Sequence, residues 1–309
     1  MLTKLSLKNF TVFDDLDLDL GSGVNVFIDK NGTGKTHLLK LMYAACDITK
    51  TERNFADKLV GVFMPSNNYP GRLVRRIQKS SNSSIEFIRK EDRKLSANFS
   101  NHVKEWKYVT IRGMQKWCGA PMESVYIPVK EMLSNAPGFR SLYERREIHF
   151  EEVYKDIVDR AYLSVLRGPT GKERKKLLKI LEKAISGKVL QKGEEFFLKN
   201  QQGELEFTLL AEGIRKLGLL WLLIQNGILM EGSVLFWDEP ETNLNPSLYG
   251  SLIEILLELQ RNGVQIFLAT HDYVILKEID LRKKMGDSVN FYSLYEDSVK
   301  EKHIICSRT

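Results

Sequence analysis

Apolar and polar residues alternate at the start of the chain. Leu2, Leu5 and Leu7 are followed by Leu16, Leu18 and Leu20, set between Asp15, Asp17 and Asp19. This period of two predicts a pair of strands joined near residues 11–14. Gly21 and Gly23 mark a turn, and 24–28 reads as an apolar strand. A glycine-rich loop follows at 29–34, and Leu38, Leu39, Leu41 and Met42 predict a helix over 35–45. Between about 50 and 120 the texture changes. Short β-prone runs at 84–88 and 108–111 lie among polar turns and predict a small antiparallel sheet. Residues 124–128 read as a buried strand, and 140–192 as helix-rich and highly charged, broken at Arg167-Gly168-Pro169. Short strands are predicted at 195–198 and 205–209, and a long apolar helix over 211–225. An apolar strand at 234–237, an amphipathic helix over 248–261 and a buried strand at 264–269 come next. Weaker strand patterns lie at 289–294 and 303–306. Helices alternating with apolar strands predict an α/β fold with a largely parallel sheet flanked by helices.

Composition narrows the class. With 309 residues, 43% hydrophobic and 28% charged, the chain is neither disordered, collagenous nor a disulfide scaffold. Cys46, Cys118 and Cys306 are scattered and odd in number, which points to a reducing compartment. No apolar signal core follows the N-terminus, and the most apolar stretch, 217–230, is too short to span a bilayer. The expectation is a soluble cytoplasmic protein without a membrane partner. The net charge of +6 is mild, but it is unevenly placed. Residues 50–120 hold 15 Lys and Arg against six Asp and Glu, a local +9, which leaves −3 on the rest. Trp106, Tyr108 and Trp117 lie among Lys104, Lys107, Arg112 and Lys116 there. That pattern fits either a nucleic-acid surface, with aromatics stacking on bases, or a solvated sheet face whose aromatics are core. The run KERKKLLK at 172–179 reads as a solvated helix face.

Four motifs carry chemistry. Asn31-Gly32-Thr33-Gly34-Lys35-Thr36 sits between a strand and a helix, the placement a phosphate-binding loop requires. Glycines turn backbone N–H groups toward a phosphate, Lys35 reaches the β/γ-phosphates, and Thr36 offers a hydroxyl to Mg²⁺. Asp29 stands where G-x-x-x-x-G-K-[ST] has its first glycine. An acid beside a polyphosphate, on a residue with a Cβ, is expected to reduce affinity or turnover. The second motif, Val234-Leu235-Phe236-Trp237-Asp238-Glu239-Pro240, ends a buried strand in two carboxylates. Asp238 suits the metal and Glu239 the attacking water. Glu241-Thr242-Asn243-Leu244-Asn245-Pro246 follows directly, and Ala269-Thr270-His271-Asp272 ends the next strand. A histidine at a strand end is often structural, but here it stands where it can bond a γ-phosphate and Glu239.

With these motifs in this order, the chain resembles the ABC-type ATPases, specifically the soluble branch of SMC, RecF and overcoming-lysogenization-defect (OLD) ATPases. The resemblance covers about 1–45 and 205–295. In such proteins IDKNGTGKT is the Walker A motif, VLFWDEP the Walker B motif, ETNLNP the D-loop and ATHD the switch-histidine motif. It implies a P-loop NTPase fold with a mostly parallel core sheet, an N-terminal antiparallel β subdomain and an inserted helical lid or arm. It implies one split ATPase domain over 1–309. Residues 1–50 carry Walker A, 51–135 form a basic β-rich segment, 136–204 a helical insertion, and 205–309 the remaining motifs. ATP and Mg²⁺ are the implied cofactors, with Asn31, Gly32, Thr33, Gly34, Lys35 and Thr36 on the nucleotide and Thr36 and Asp238 on the metal. Glu239 and His271 are the implied catalytic pair.

Such ATPases also need a signature that reaches the γ-phosphate of a second subunit. The candidate is Leu210–Lys216, with Ala211, Glu212, Gly213 and Arg215 as its contact residues. It resembles the divergent OLD-like signature more than the LSGGQ of transporters. Ala211 replaces a serine hydroxyl, and Arg215 or Lys216 is placed to compensate. A glutamine-containing Q-loop is not evident, and 126–131 is where one belongs. The resemblance implies a homodimer sandwiching two ATP, which controls a partner effector or DNA in genome maintenance or anti-phage defence. No acidic nuclease-like region follows the ATPase motifs, so the effector or nuclease is expected on another chain, or the sequence is truncated, with DNA on segment 50–120. The rivals are a nucleotide-sensing scaffold with little or no hydrolysis and the ATP-binding subunit of a transporter.

Overall fold

The computed structural model describes residues 1–166, 171–296 and 304–308. The break expected at 167–169 and His303 lie outside the described residues. The chain opens with β1 (Leu2–Phe10), β2 (Phe13–Asp19), β3 (Val24–Ile28), α1 (Lys35–Thr51) and α2 (Phe55–Phe63). Next come β4 (Asn82–Arg89), β5 (Arg93–Ser100), β6 (Thr110–Arg112), α3 (Met114–Cys118) and β7 (Ser124–Ile127). The middle holds α4 (Phe139–Glu144), α5 (Glu152–Ala161), α6 (Lys172–Ile185), β8 (Lys188–Lys192), β9 (Glu195–Asn200) and β10 (Gly203–Glu206). The last part is α7 (Glu212–Gln225), β11 (Val234–Asp238), α8 (Tyr249–Arg261), β12 (Gln265–Thr270), α9 (Tyr273–Arg282), β13 (Val289–Glu296) and β14 (Ile304–Arg308).

The central sheet runs β14-β13-β3-β12-β11-β7. It is parallel except for β14, which pairs antiparallel with β13. Alternation within its strands divides the core in two. Leu235, Trp237, Ile266 and Leu268 face one way, with α6, α7 and α8. Val234, Phe236, Phe267 and Phe27 face the other, with α1. On that second side Phe236 and Phe267 stack at 5.1 Å between centroids, locking the neighbouring strands in register. The order β3-β12-β11 matters most. The phosphate loop, His271 and the acidic pair leave the C-terminal ends of three adjacent parallel strands, where such sheets hold their ligands.

Several elements depart from expectation. The N-terminal hairpin and the strands of the basic segment form one five-stranded sheet, β2-β1-β4-β5-β6. Leu5 pairs with Phe87 and Leu7 with Ile85, so the hairpin's apolar face is extended by strands some 80 residues away. Helix α1 continues six residues past 45, because Tyr43, Ala44, Ala45, Cys46 and Ile48 are buried on all sides and show no polar stripe. Helix α2 falls in a stretch that reads as polar turns. Asn54 caps it by accepting from Ala56 N at 2.8 Å, and Phe55, Leu59 and Val62 bury its inner face. The strand expected over 205–209 stops at Glu206, and Phe207–Leu209 is a 3₁₀ turn whose Phe207 enters the core.

Candidate functional site

Gly34 opens α1 at φ +93°. A Cβ there would lie 2.5 Å from the Phe13 ring and 2.6 Å from Val12, so both conformation and space demand glycine. No side chain caps α1, which leaves the N–H groups of its first turn facing the loop. Lys35 folds across the loop and donates from Nζ to the carbonyls of Asp29 and Lys30, 2.6 Å each. Burial lowers its pKa, against the pull of Asp29, Glu239, Asp238 and Glu241. Asp29 adopts φ +157°, at the edge of the region L side chains rarely enter. Its carboxylate accepts from Lys30 N at 2.6 Å and Ser293 Oγ at 3.3 Å. The acid at this position is therefore held by its own loop and by β13.

Asp238 ends β11 only 3% exposed. One carboxylate oxygen accepts from Thr36 Oγ1 at 3.2 Å, the other from Tyr126 OH at 3.1 Å. Burial raises its pKa, and these two hydrogen bonds oppose the rise. A hydroxyl and a carboxylate converging as hard oxygen donors fit Mg²⁺. Among the described residues no group of three or more His, Cys, Asp or Glu side chains is arranged to hold a metal ion by itself. An ion held by Thr36 and Asp238 would therefore complete its shell with phosphate oxygens and water.

Glu239 takes φ +45°, and its N–H donates to Ala269 O at 2.9 Å, which fixes the turn out of the strand. Oε2 accepts from Thr242 Oγ1 at 3.0 Å, and Oε1 lies 3.4 Å from His271 Nδ1. Glu241, the first residue of the D-loop motif and not among the expected catalytic residues, is buried beside them. Its Oε1 accepts from Thr270 Oγ1 at 2.6 Å and lies 3.8 Å from His271 Nδ1, and burial raises its pKa. The visible signal was a third carboxylate two residues after the acidic pair.

The candidate signature packs against the D-loop of its own chain. Ala211 is the N-cap of α7 and contributes no side-chain cap. Gly213 is required by close approach, since a Cβ would meet Asn243 O at 2.8 Å and Leu244 Cα at 2.9 Å. Glu212 accepts from Asn243 Nδ2 at 2.9 Å. Arg215 Nε lies 2.8 Å from Glu131 Oε2, so that guanidinium is ion-paired. Lys216, expected to face a phosphate, is instead 1% exposed and donates to Thr242 O at 2.7 Å. Helix α7 is buried on all sides from Lys216 to Ile224, so the ammonium has no route to solvent and bonds inside the protein. In the stretch where a Q-loop belongs, Tyr126 reaches Asp238 and Glu131 pairs with Arg215.

The basic segment divides. Trp117 is core, with Nε1 donating to Ala45 O at 2.6 Å and the Arg89 guanidinium over its ring. Lys58 is buried among Asp47, Glu152 and Asp156, each at 2.7 Å. Arg75 pairs with Asp14 at 3.1 Å. Arg72, Arg76, Lys79, Lys104, Lys107, Arg112 and Lys116 remain exposed, with Trp106 and Tyr108. Beside the phosphate loop a cavity of about 500 Å³ is lined by Val12, Gly32, His37, Phe63, Arg72 and Arg76. Burial, then Lys40, lowers the His37 pKa to about 4.

The family model described as "AAA domain, putative AbiEii toxin, Type IV TA system" matches residues 117–277, more than half the chain. The chain belongs to this family. As an AAA-domain protein it is an ABC-type ATPase of the SMC/RecF-like kind. It is similar to the DNA replication and repair protein RecF of Lactobacillus acidophilus, 34% identical over 109 residues, 35% of this chain and 28% of that protein. RecF of Streptococcus suis is 25% identical over 179 residues, 53% of this chain and 48% of that protein. The AAA-domain chain thus spans between about a quarter and a half of these curated relatives. The SMC head domain from Thermotoga maritima covers all of it at TM-score 0.54 and 11% identity, with 98% of that chain matched. An SMC head solved with the C-winged helix domain of ScpA gives 0.58 and 12%, over 100% of this chain and 97% of that one. These likenesses show the fold. Among the described residues no helix is long and apolar enough to cross a membrane.

Proposed function

We propose that this chain binds ATP–Mg²⁺ and hydrolyses ATP as a nucleotide-driven dimer switch, with 1–309 acting as one split ATPase unit. The observation that carries the reading is the convergence of Thr36, Asp238, Glu239 and His271 at the ends of three adjacent parallel strands. Lys35 and the N–H groups of α1 bind the phosphates, and the cavity at Val12, Phe63 and Arg72 receives the nucleoside. Mg²⁺ held at Thr36 and Asp238 supplies charge neutralisation on the β/γ-oxygens. Glu239 orients and polarises the attacking water, and His271 contacts the γ-phosphate.

A second copy is the proposed partner. Leu209, 72% exposed just before the signature, and Tyr273, 64% exposed beside His271, are apolar surface flanking the nucleotide motifs. Covering them against another head would bring each signature helix to the other head's phosphate loop. Downstream, we read the switch as controlling DNA or a separate effector in genome maintenance or anti-phage defence. The exposed cations with Trp106 and Tyr108 support a DNA-contacting face, as does the similarity to proteins named for DNA replication and repair. The toxin–antitoxin wording of the family description supports a separate effector.

Phosphate release by wild type and Glu239→Gln tests the hydrolase. Loss of roughly 10²–10³-fold with ATP still bound, and an ATP-dependent doubling of mass on gel filtration, are expected. A wild-type chain that binds ATP and releases no phosphate would leave it a nucleotide sensor. Duplex binding that weakens with salt, and again in Arg76→Ala/Lys104→Ala/Lys107→Ala, tests the DNA face.

A further inference from the structure

Three hydrogen bonds form a line from the signature helix to the acidic pair inside one head. Lys216, four residues into α7, is an almost fully buried ammonium, and desolvation lowers its pKa. Its Nζ donates to Thr242 O at 2.7 Å and lies 3.9 Å from Glu212 Oε1. Thr242 uses its hydroxyl on Glu239 Oε2 at 3.0 Å, and its N–H donates to Glu239 O at 3.1 Å. The same stretch of D-loop is gripped a second time, where Gly213 packs on the Asn243 and Leu244 backbone and Asn243 donates to Glu212.

A lysine is a costly way to satisfy one carbonyl. Burying an ammonium is unfavourable unless its donors are used. The flexible stem also gives little positional precision, unless the groups around it are themselves held. Here they are. Asn243 at φ +60° and Glu239 at φ +45° set the loop in a shape that presents the Thr242 carbonyl inward and its hydroxyl toward the carboxylate.

We propose that Lys216 and Thr242 are positioning residues that fix the Glu239 carboxylate and tie it to the signature helix of the same head. The inference rests on the hydrolase reading and deepens it. A pull on α7, made when its N-terminus engages a nucleotide on a second copy, travels through the Lys216 ammonium to the Thr242 carbonyl. Through the Thr242 hydroxyl it reaches Glu239. Neither residue touches the phosphate, so their loss acts on the chemical step and spares ATP affinity.

The test compares wild type, Thr242→Val, Thr242→Ser, Lys216→Met and the Lys216→Met/Thr242→Val double variant, each full length. Steady-state phosphate release gives kcat and KM, a fluorescent ATP analogue reports binding, and circular dichroism gives Tm. Thr242→Val keeps side-chain shape and removes the hydroxyl. It is expected to lower kcat about tenfold with KM within about twofold, and Thr242→Ser is expected to restore it. Lys216→Met is expected to lower kcat similarly, and the double variant to fall no further than the worse single one, since both act through one line. Unchanged kcat in Thr242→Val, with wild type turning over, overturns the proposal and leaves the hydrolase standing. So does a loss in Lys216→Met that multiplies with that of Thr242→Val, or one accompanied by an equal rise in KM. A wild type that binds the analogue and releases no phosphate overturns both. Thr242→Val and Thr242→Ser carry the decision if Lys216→Met lowers Tm beyond the assay temperature.

Discussion

Thr36 Oγ1 donates to Asp238 Oδ1 at 3.2 Å, across 202 residues of sequence. The bond joins the first turn of α1 to the end of β11 and holds the two oxygen donors on which a divalent ion would sit. Its surroundings are dry enough that burial raises the Asp238 pKa, so a cation there replaces a solvation the carboxylate lacks.

Ligand-linked stability follows from that pair. ATP with Mg²⁺ at 100-fold over its dissociation constant is expected to stabilise wild type by about 2.7 kcal/mol. Asp238→Asn removes the charge and turns one of the two accepting oxygens into a donor, so ATP alone is expected to shift its Tm as much as ATP with Mg²⁺. Thermal melts with and without Mg²⁺ measure this, and a metal-dependent shift retained in Asp238→Asn would contradict it.

Asp29 sets a limit on affinity. Its carboxylate lies in a loop built for phosphate, and at 4 Å a like charge costs from about 1 kcal/mol in water to about 4 kcal/mol near a protein surface. Glycine also relaxes the φ +157° backbone. Asp29→Gly is expected to tighten ATP binding about tenfold at low salt, by titration calorimetry. Equal or weaker binding would show that the contacts to Lys30 N and Ser293 matter more than the charge.

The buried cluster behind α1 governs stability instead. Lys58 Nζ meets Asp47, Glu152 and Asp156, and Tyr43 OH donates to Asp156 at 2.6 Å. Lys58→Met removes the shared central cation and leaves those carboxylates only Arg160, Arg53 and Tyr43 as partners, so it is expected to cost about 3–5 kcal/mol in urea unfolding. A loss below about 1 kcal/mol would mean that water or Arg160 takes over.

Two pH windows separate two groups. Burial alone would raise Asp47, but Lys58 and Arg160 outweigh it and hold its pKa below 3.8. Its folded-state value is the lower one, so its contribution is present above about pH 4 and is lost as pH falls through that value. His37 is also depressed, from 6.5 to about 4. The unfolded chain takes that proton first, so stability is expected to fall between pH 6.5 and 4 by at most about 3 kcal/mol. His37→Gln should flatten this upper window and leave the acid limb. Identical pH profiles would show that His37 does not take up that proton on unfolding.

Local chemistry in the chain determined the site motifs and the strand–loop–helix context of each. Gly34, Lys35 and Thr36 had to open a helix, and Asp238 had to end a buried strand, because turn conformation and apolar runs are properties of neighbours in sequence. Helix α1 past residue 45 was illegible, because a helix buried on all sides carries no period. Only the tertiary structure decided which cations of segment 50–120 face solvent. Lys58 and Arg89 lie inward, because α2 and β4 turn them toward carboxylates and the Trp117 ring. The joining of β1 to β4, the inward turn of Lys216 and the meeting of Tyr126 with Asp238 were likewise decided by packing. Each depends on which strands become neighbours, and that choice minimises exposed apolar surface over the whole chain and leaves no trace in any one stretch of it.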